Sequence, residues 1–537
     1  MDKKNSADSQ AQLLKGSAWM TFGSIASRIL GAIYIIPWYA WMGPFGNVAN
    51  ALTAKSYNIY SLFLMISTAG IPGAVAKQIA KYNALEDYQT SRRLFKQGLM
   101  LMAGLGIASS VLMAVAAPIL SGNDPRQIPV IRSLAFAVLI IPIMSIFRGY
   151  FQGFNNMKPS AMSQFFEQVA RVAWMLLTAY IIMKVQHGNY IHAVTQSNLA
   201  AFVGALFGLV LLVWYYRKQN RELGINYTTT ETTSTSWNLI FEIISQSIPF
   251  IVIDSGITLY QLVDQYTFHP ILATVVRANF DQIESWYALF GLNANKLIMI
   301  VVSLSTAMAV TAIPLLSGAH ARKDYRDIAR QIESTIELFT FVMIPSSFGM
   351  AAIAKPLYSV FYGPDPLGTS VLVLSAVTAV TLGLFTVLLA IQQGLSENNL
   401  AIKYLLIGLI VKILIQYPCV ITFKIFGPLI STNLAMIVTI AISLIHLRVR
   451  YHFNADRTSR RVLGVTIFSM IMFLFTKLAL FVMELFLRHP GRMMSLIEVI
   501  ICAGVGGLVF TFLVVKTELA FAIMGNRIRR ITDKLPF

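Results

Sequence analysis

Apolar runs of about 20 residues recur along almost the whole chain, and short polar loops separate them. A helix of that length crosses the hydrocarbon core of a bilayer, which is about 30 Å thick. Only 12% of the 537 residues are charged and 56% are hydrophobic, whereas soluble proteins carry about 25% charged residues. A water-soluble fold has no interior that could bury so much apolar sequence. The pattern therefore predicts an all-α integral membrane protein.

Fourteen of these runs are predicted to span the membrane. They lie near residues 17–41, 57–80, 95–120, 130–152, 161–184, 193–216, 238–262, 286–316, 333–354, 369–393, 400–423, 428–448, 461–487 and 493–516. The eighth run is longer than one span needs, and an interfacial stretch around Trp286 and Tyr287 is expected at its start. The first run is too long for a signal-peptide core and is interpreted as a retained helix.

The segment 217–236 is the one stretch with the composition of a linker, because it holds a run of Thr and Ser between the sixth and seventh spans. It divides the chain into predicted parts. These are an N-terminal lobe of six helices at 1–216, the linker at 217–236, a C-terminal lobe of six helices at 237–450, and two further helices with a tail at 451–537.

Basic residues set the predicted orientation. The net charge is +18, but the 42 Lys and Arg lie in short loops and not on a folded basic domain, which argues against a nucleic-acid partner. Most of them fall in inner loops when the N-terminus is placed inside, so both termini are predicted to be cytoplasmic. The two cysteines, Cys419 and Cys502, lie in apolar runs and indicate neither a disulfide framework nor a metal site.

An internal duplication is visible in three pairs of short motifs that recur in the same order, 237 to 242 residues apart. They are Ser67-Thr68-Ala69 with Ile71-Pro72 and Ser305-Thr306-Ala307 with Ile313-Pro314, Asp87-Tyr88 and Asp324-Tyr325, and Gln152-Gly153 and Gln393-Gly394. A repeat unit of six helices keeps the same membrane orientation in both copies. Such parallel repeats predict a pseudo-two-fold axis along the membrane normal, a central cavity and alternating access.

Six basic residues fall within predicted spans: Arg28, Lys77, Arg171, Lys296, Lys412 and Lys477. Burying a cation at the bilayer centre costs about 2.5–3.5 kcal/mol on insertion scales, so each side chain is expected to face protein or water. The functional hypothesis is a cationic cavity for an anionic headgroup such as a diphosphate. The alternative is that the side chains extend to the membrane surface or serve packing.

The depth of each residue favours one alternative or leaves both open. Arg28 lies in the middle of its span, which favours the cavity. Lys296 fits either alternative, and Lys77 lies near a span end, which favours extension to the surface. For Lys412 a lobe interface and the cavity both stay open. Lys477 shares a helix face with Glu484 and is interpreted as structural.

Three acidic residues in the spans have two hypotheses each. Glu167 precedes Arg171 by four residues, so the two form either a local ion pair or a contact with substrate. Asp254 lies midway along the seventh span, and Asp264 lies near the outer end of that span. An intramembrane carboxylate binds Na⁺ or H⁺ for coupling, or neutralises a neighbouring Lys or Arg.

Four stretches of the N-terminal half resemble a known family. They are Ser27-Arg28-Ile29-Leu30-Gly31, Ala69-Gly70-Ile71-Pro72 followed by Ala76-Lys77, Arg148-Gly149-Tyr150-Phe151-Gln152-Gly153, and Pro159-Ser160-Ala161-Met162-Ser163-Gln164 leading into Glu167-Gln168 and Arg171-Val172. In this order they are similar to the MurJ/YtgP/SpoVB-like proteins of the polysaccharide-transport branch of the MOP (MATE-like) flippase superfamily. Two extra C-terminal helices also fit MurJ-type proteins.

The resemblance implies a flippase for lipid II, an undecaprenyl-diphosphate-linked peptidoglycan precursor, in the bacterial cytoplasmic membrane. It implies a groove near the last two helices for the lipid tail and a cavity arginine at Arg28. Lys296 stands where many members have an arginine, and Tyr34 where Gram-negative members have another. In some relatives a seventh-helix Asp binds Na⁺, which makes Asp254 a candidate. No resident cofactor is expected, Na⁺ or H⁺ coupling is left open, and membrane lipids and cell-wall synthesis proteins are the expected partners.

Three rival functions stay open on the residues alone. One is flipping of another undecaprenyl-linked glycan, such as a capsule or teichoic-acid precursor. The second is drug/cation antiport of the MATE type, which needs an acid-rich cavity. The third is a membrane-embedded glycosyltransferase, which needs an outward-facing acid. The chain has no G-x-x-x-x-G-K loop and no H-E-x-x-H motif, so a transporter rather than an enzyme is predicted.

Overall fold

The computed structural model describes residues 30–31, 33–68, 71–84, 87–122, 124–154, 156–222, 248–249, 251–486 and 491–524. Every regular element within these ranges is a helix, so the predicted all-α fold class is confirmed. The chain divides into two compact units, Met1–Thr258 and Leu259–Phe537. The lobe and linker limits that the sequence suggests stay predictions, since most of 217–236 lies outside the described residues.

The first unit contains seven long or medium helices among its described residues. They are α1 Ile35–Met42, α2 Gly46–Thr68, α3 Ile71–Ala84, α4 Tyr88–Leu120, α5 Gln127–Gly153, α6 Met157–Tyr180 and α7 Tyr190–Glu222. A 3₁₀ turn at Gly43–Phe45 joins α1 to α2, and a π-helical turn at Ile181–Val185 extends α6. The helix that contains residue 57, the predicted start of the second span, therefore begins at Gly46.

The helices from α8 onward belong mainly to the second unit. They are α8 Gly256–Val275, α9 Phe280–Ala288, α10 Asn295–Ala321, α11 Tyr325–Ala352, α12 Ala354–Tyr362, α13 Pro366–Gly394, α14 Asn398–Phe423, α15 Gly427–Tyr451, α16 Ala455–Phe486, α17 Arg492–Lys516 and α18 Leu519–Met524. A π-helical turn at Leu289–Ala294 joins α9 to α10. Tyr287, expected at an interface, is buried there and packs against Phe268 and Phe290.

Ten helical stretches of the described chain are long and apolar enough to cross a membrane. One of them, Asn398–Tyr451, contains both α14 and α15, which a short 3₁₀ turn at Lys424–Phe426 separates. Large apolar side chains on these helices are exposed, as a lipid-facing surface requires; Ile119 is 83% exposed and Leu414 is 70% exposed. A multi-pass membrane protein follows, and the count of fourteen spans stays a prediction.

The duplicated motifs mark equivalent points in the two units. Asp87 caps the N-terminus of α4 by accepting a hydrogen bond from the Thr90 amide at 3.0 Å. Asp324 caps α11 in the same way, with its carboxylate 3.0 Å from the Asp327 amide. A side-chain oxygen at this position satisfies an amide that the first helical turn leaves free. The shared Asp-Tyr motif is thus the start signal of one helix in each unit.

Two glycines of the duplicated motifs end equivalent helices and allow close packing. A Cβ on Gly153, the last residue of α5, would lie 2.9 Å from the carbonyl oxygen of Ala76 in α3. A Cβ on Gly394, the last residue of α13, would lie 3.0 Å from the carbonyl oxygen of Ile313 in α10. Both positions admit a backbone where a side chain would collide, which explains why the motif keeps glycine in both halves.

The core of the first unit is an aromatic cluster on α4, α5 and α7. Phe95 packs against Phe147 with ring centroids 5.0 Å apart, against Tyr150 at 4.8 Å and against Tyr216 at 4.9 Å. Such pairs stabilise a core by about 0.5–1.5 kcal/mol beyond the burial of their area. The cluster fixes α5, and α5 carries the first residue of the candidate site.

Candidate functional site

Glu167 on α6 is neutralised by a neighbouring helix. Nη2 of Arg148, on α5, lies 2.6 Å from Oε2 of Glu167. Nε of Arg148 donates to the Ser163 hydroxyl at 3.0 Å, and both charged side chains are about four-fifths buried. The local pairing with Arg171 that the four-residue spacing suggests is therefore replaced by a tertiary ion pair.

Arg171 lies one turn further along α6 and faces tyrosines. Its guanidinium carbon lies 5.7 Å from the ring centroid of Tyr57, and that ring lies 5.0 Å from the ring of the buried Tyr60. A cation–π contact stabilises a guanidinium but does not cancel its charge. Within the described part of the chain, no carboxylate is within ion-pair distance of Arg171. The half-buried side chain thus keeps a positive charge that an anionic ligand could use.

Arg28 and Lys77 are the remaining cationic candidates of the first unit. Arg28 lies outside the described residues. Gly31, three residues later, packs close to α6, where a Cβ on it would lie 3.5 Å from Nε2 of Gln168. Lys77 lies on α3, but its side chain is outside the described part. Their predicted roles stay predictions.

Lys296 is the second residue of α10, directly after the π-helical turn, and it is half-buried. Two buried tyrosines of α12 hold that turn. Asn293 Nδ2 donates to the Tyr358 hydroxyl at 2.9 Å, and the Tyr362 hydroxyl donates to the Asn293 carbonyl at 3.2 Å. The start of α10 is therefore fixed in place, and the direction in which Lys296 leaves the backbone is fixed with it.

The two candidate coupling carboxylates have opposite environments. Asp254 is exposed and ends a short helical stretch at a turn formed by Ser255. Asp264, on α8, is buried and lies 2.6 Å from the ammonium of Lys412 on α14. The Lys412 side chain has no exposed surface. Nothing in the local sequence marks this pair, because 148 residues separate its members.

Lys412 and Asp264 belong to a polar network between α8, α14 and α15. The ammonium also donates to the Pro428 carbonyl at 2.9 Å, the Ser431 hydroxyl at 2.8 Å and the Thr432 hydroxyl at 2.7 Å. Polar groups in a membrane interior must find partners in the protein. Sequence reasoning recognised both charged residues but could not find the hydroxyls that complete the network.

An apolar cavity of about 460 Å³ lies between α11, α16 and α17. Phe341, Pro345, Met472 and Phe510 line it, and Gly506 and Gly507 of α17 form part of its wall. A Cβ on Gly507 would contact nothing within 4 Å, so this part of the wall is open. The cavity has the chemistry to hold a hydrocarbon chain.

A second cavity of about 590 Å³ lies where α12 and the start of α13 meet α16 and α17, and charged side chains line part of it. Lys355 and Glu484 form an ion pair of 2.9 Å at its edge, and Glu498 lines it. Glu484 therefore pairs with Lys355 of α12. The partner expected from helix spacing, Lys477, lies 5.9 Å from the ring centroid of Phe473 instead.

The polysaccharide biosynthesis protein family matches residues 13–320 of the chain. The lipid II flippase MurJ of Bacillus subtilis (strain 168) is 32% identical over 536 residues, which cover 96% of this chain and 98% of that protein. A solved structure of lipid II flippase MurJ in an inward closed conformation has a TM-score of 0.64 at 12% identity and covers 94% of this chain and 99% of its own. An inward-facing MATE family multidrug resistance transporter of the MOP superfamily has a TM-score of 0.62 at 14% identity, covering 79% and 94%. The two structural likenesses show the fold alone.

Proposed function

Because this chain belongs to the polysaccharide biosynthesis protein family, within the MOP flippase superfamily, we propose that it flips lipid II across the bacterial cytoplasmic membrane by alternating access. The observation that carries this proposal is the identity of 32% with a lipid II flippase over nearly the full length of both chains. The transporter is a multi-pass membrane protein. We further propose that both termini are cytoplasmic and that the protein is not an enzyme.

Recognition of the diphosphate rests on cationic side chains in the interior of the first unit. Arg171 supports this role because its charge is not cancelled by a carboxylate in the described residues, whereas the charge of Arg148 is cancelled by Glu167. A guanidinium presents a planar set of donors that matches phosphate oxygens. Arg28 is proposed to add charge to this recognition step, and Lys77 to have a lesser part. Lys296, which lies in the second unit, stays a candidate substrate-binding residue of that unit.

Binding of the undecaprenyl chain rests on the apolar cavity between α11, α16 and α17. Its wall includes aromatic, methionine, aliphatic and glycine residues, which suits a flexible isoprenoid chain. Each buried methylene group contributes about 0.8 kcal/mol to the transfer of a lipid chain, so a partly enclosed tail stabilises the complex considerably.

Energy for transport is proposed to come from the membrane potential or from an ion gradient, since no nucleotide-binding loop is present in the sequence. Of the two candidate carboxylates, Asp254 is the exposed one and is available to exchange Na⁺ or H⁺. No resident cofactor is proposed. Membrane lipids and cell-wall synthesis proteins are the proposed partners besides the substrate.

The test is complementation in a bacterium depleted of its own lipid II flippase. Growth and the amount of lipid II in the outer leaflet are measured while the chain is expressed at a level verified by immunoblotting. The expected result is restored growth with outer-leaflet lipid II. A well-expressed chain that restores neither contradicts the proposal, and recovery of an outer-leaflet teichoic-acid or capsule precursor in matched depletion strains would identify a different undecaprenyl-linked glycan.

A further inference from the structure

Lys412 has more close oxygen neighbours than an ammonium group has protons. Four oxygens lie within 2.9 Å of Nζ, namely Asp264 Oδ1, Thr432 Oγ1, Ser431 Oγ and the Pro428 carbonyl. A lysine ammonium carries only three N–H donors. The surroundings therefore have the form of an oxygen shell around a point charge, which a single ion pair between helices does not require.

The chemistry of the shell is that of a site for a hard cation. One carboxylate, one backbone carbonyl and two hydroxyls are the oxygen ligands that hard metal cations prefer in proteins. The shell holds one formal negative charge, which matches a monovalent occupant. Its members come from two helices, α8 and α15, while the ammonium enters from a third, α14.

The oxygens are positioned by contacts that do not involve the lysine. Gln416 Nε2 donates to Asp264 Oδ1 and to the Thr267 hydroxyl, both at 3.0 Å. The Ser431 hydroxyl lies 2.6 Å from Oε1 of Gln416, to which it donates. Gln416 thus holds the carboxylate and one hydroxyl through hydrogen bonds of its own. These contacts would remain if the lysine were removed.

We propose that Asp264, Ser431, Thr432 and the Pro428 carbonyl form a monovalent-cation site in the second unit, and that the Lys412 ammonium is its built-in occupant. The tethered charge takes the place of a free ion, so this position works without Na⁺ or K⁺ from the medium. An alkali-metal cation binds there only when the ammonium is absent. This inference does not depend on which molecule the protein transports.

The experiment compares the full-length protein in detergent with its Lys412→Ala variant. The midpoint of thermal unfolding is measured in NaCl, in KCl and in choline chloride at equal ionic strength. Choline is too large for the site and controls for general salt effects. The midpoint of the wild type is expected to be the same in the three salts. In choline chloride the variant is expected to have a lower unfolding midpoint than the wild type. In NaCl or KCl its midpoint is expected to rise by about 5 °C or more and to level off at high salt concentration.

Two matched variants locate the effect. Lys477→Ala removes another lysine from a membrane helix, where Nζ lies 5.9 Å from the Phe473 ring centroid and forms no ion pair with any described residue. It is expected to respond to the three salts like the wild type. Lys412→Ala combined with Asp264→Asn removes the negative charge that attracts a cation, and its unfolding midpoint is expected to be independent of the alkali-metal ion.

Three results would overturn the proposal. The first is a folded Lys412→Ala variant with equal midpoints in all three salts. The second is a wild-type protein that gains as much from Na⁺ or K⁺ as the variant does. The third is a Lys412→Ala variant that stays unfolded at every NaCl and KCl concentration while the double variant folds, because an uncompensated Asp264 should be rescued by an ion that fits the site.

Discussion

Arg148 and Glu167 form an ion pair of 2.6 Å that joins α5 to α6 inside the first unit. This ion pair determines which charged side chains of the region are neutralised. The carboxylate that precedes Arg171 by four residues is already neutralised, so the positive charge of Arg171 is left for another partner. We propose that this distribution of charge allows the unit to recognise an anionic substrate.

Replacing Arg171 by alanine is expected to lower transport of lipid II at least about tenfold, because the loss of one charge-assisted hydrogen bond to phosphate costs about 1.5–3 kcal/mol. The measurement is outer-leaflet lipid II in the depletion strain. Lys184→Ala removes an exposed cation from the π-helical extension of the same helix and is expected to transport normally. Equal transport by the two variants would remove Arg171 from the recognition step.

Replacing Glu167 by glutamine is expected to lower stability by about 1–3 kcal/mol, because it leaves the mostly buried charge of Arg148 without its counter-charge. Thermal unfolding of the purified protein measures the loss. The double variant Glu167→Gln with Arg148→Gln is expected to be less destabilised than the two single losses added together, since the paired charges disappear at once. Additive losses would show that the two side chains do not interact.

Replacing Gly507 by phenylalanine is expected to reduce transport strongly while the protein still folds. The new side chain enters the apolar cavity between α11, α16 and α17, and a Cβ at this position meets no atom within 4 Å. Gly504→Phe is the control on the same helix, because Gly504 is also free of neighbours within 4 Å but does not line the cavity. Normal transport by both variants would exclude the cavity as the site of the lipid tail.

Replacing Asp87 by alanine is expected to destabilise the start of α4 by about 1 kcal/mol, whereas Asp87→Asn keeps most of the cap. Hydrogen bonds from the Thr90 hydroxyl and amide hold the pKa of Asp87 below its ordinary value. The cap of the wild type therefore contributes fully above the ordinary pKa of an aspartate and is lost as the pH falls through the lowered value.

Hydrogen exchange of the Thr90 amide measures this cap. Exchange in the wild type is expected to lose protection on acidification once the intrinsic pH dependence of exchange is subtracted. The Asn variant is expected to lack this step because its side chain does not titrate. A step of equal size in both proteins would assign the pH dependence to another group.

The parts of the fold that can be predicted from the sequence are those determined by residues close together in the chain. Runs of apolar residues determine which segments form membrane helices, and the Asp-Tyr motifs at Asp87 and Asp324 mark helix starts because an N-cap acts on amides two or three residues away. The glycines at 153 and 394 are also recoverable, since a repeated glycine at a helix end indicates a close approach of two backbones.

The parts that cannot be predicted from the sequence depend on contacts across long sequence separations. A four-residue spacing suggests Arg171 as the partner of Glu167, but a better-placed guanidinium from α5 competes successfully. Lys412 and Asp264 each have a recognisable cost of burial, yet only the packing of α8 against α14 shows that they compensate one another. A sequence shows how far a charged residue lies from the ends of its membrane helix, but it does not show which residue pairs with it.

The π-helical turn at Leu289–Ala294 divides a 42-residue helical rod, Phe280–Ala321, at one point. A π turn accommodates one residue more than an α turn, and residues in an α-helix are spaced about 100° apart around the axis. If this turn adopts regular α geometry, everything beyond it rotates by about that angle relative to α9. Lys296 is the second residue beyond the turn. The π-helical turn thus sets the angle around the rod at which Lys296 leaves the backbone, and the contacts of Tyr358 and Tyr362 with Asn293 hold that angle.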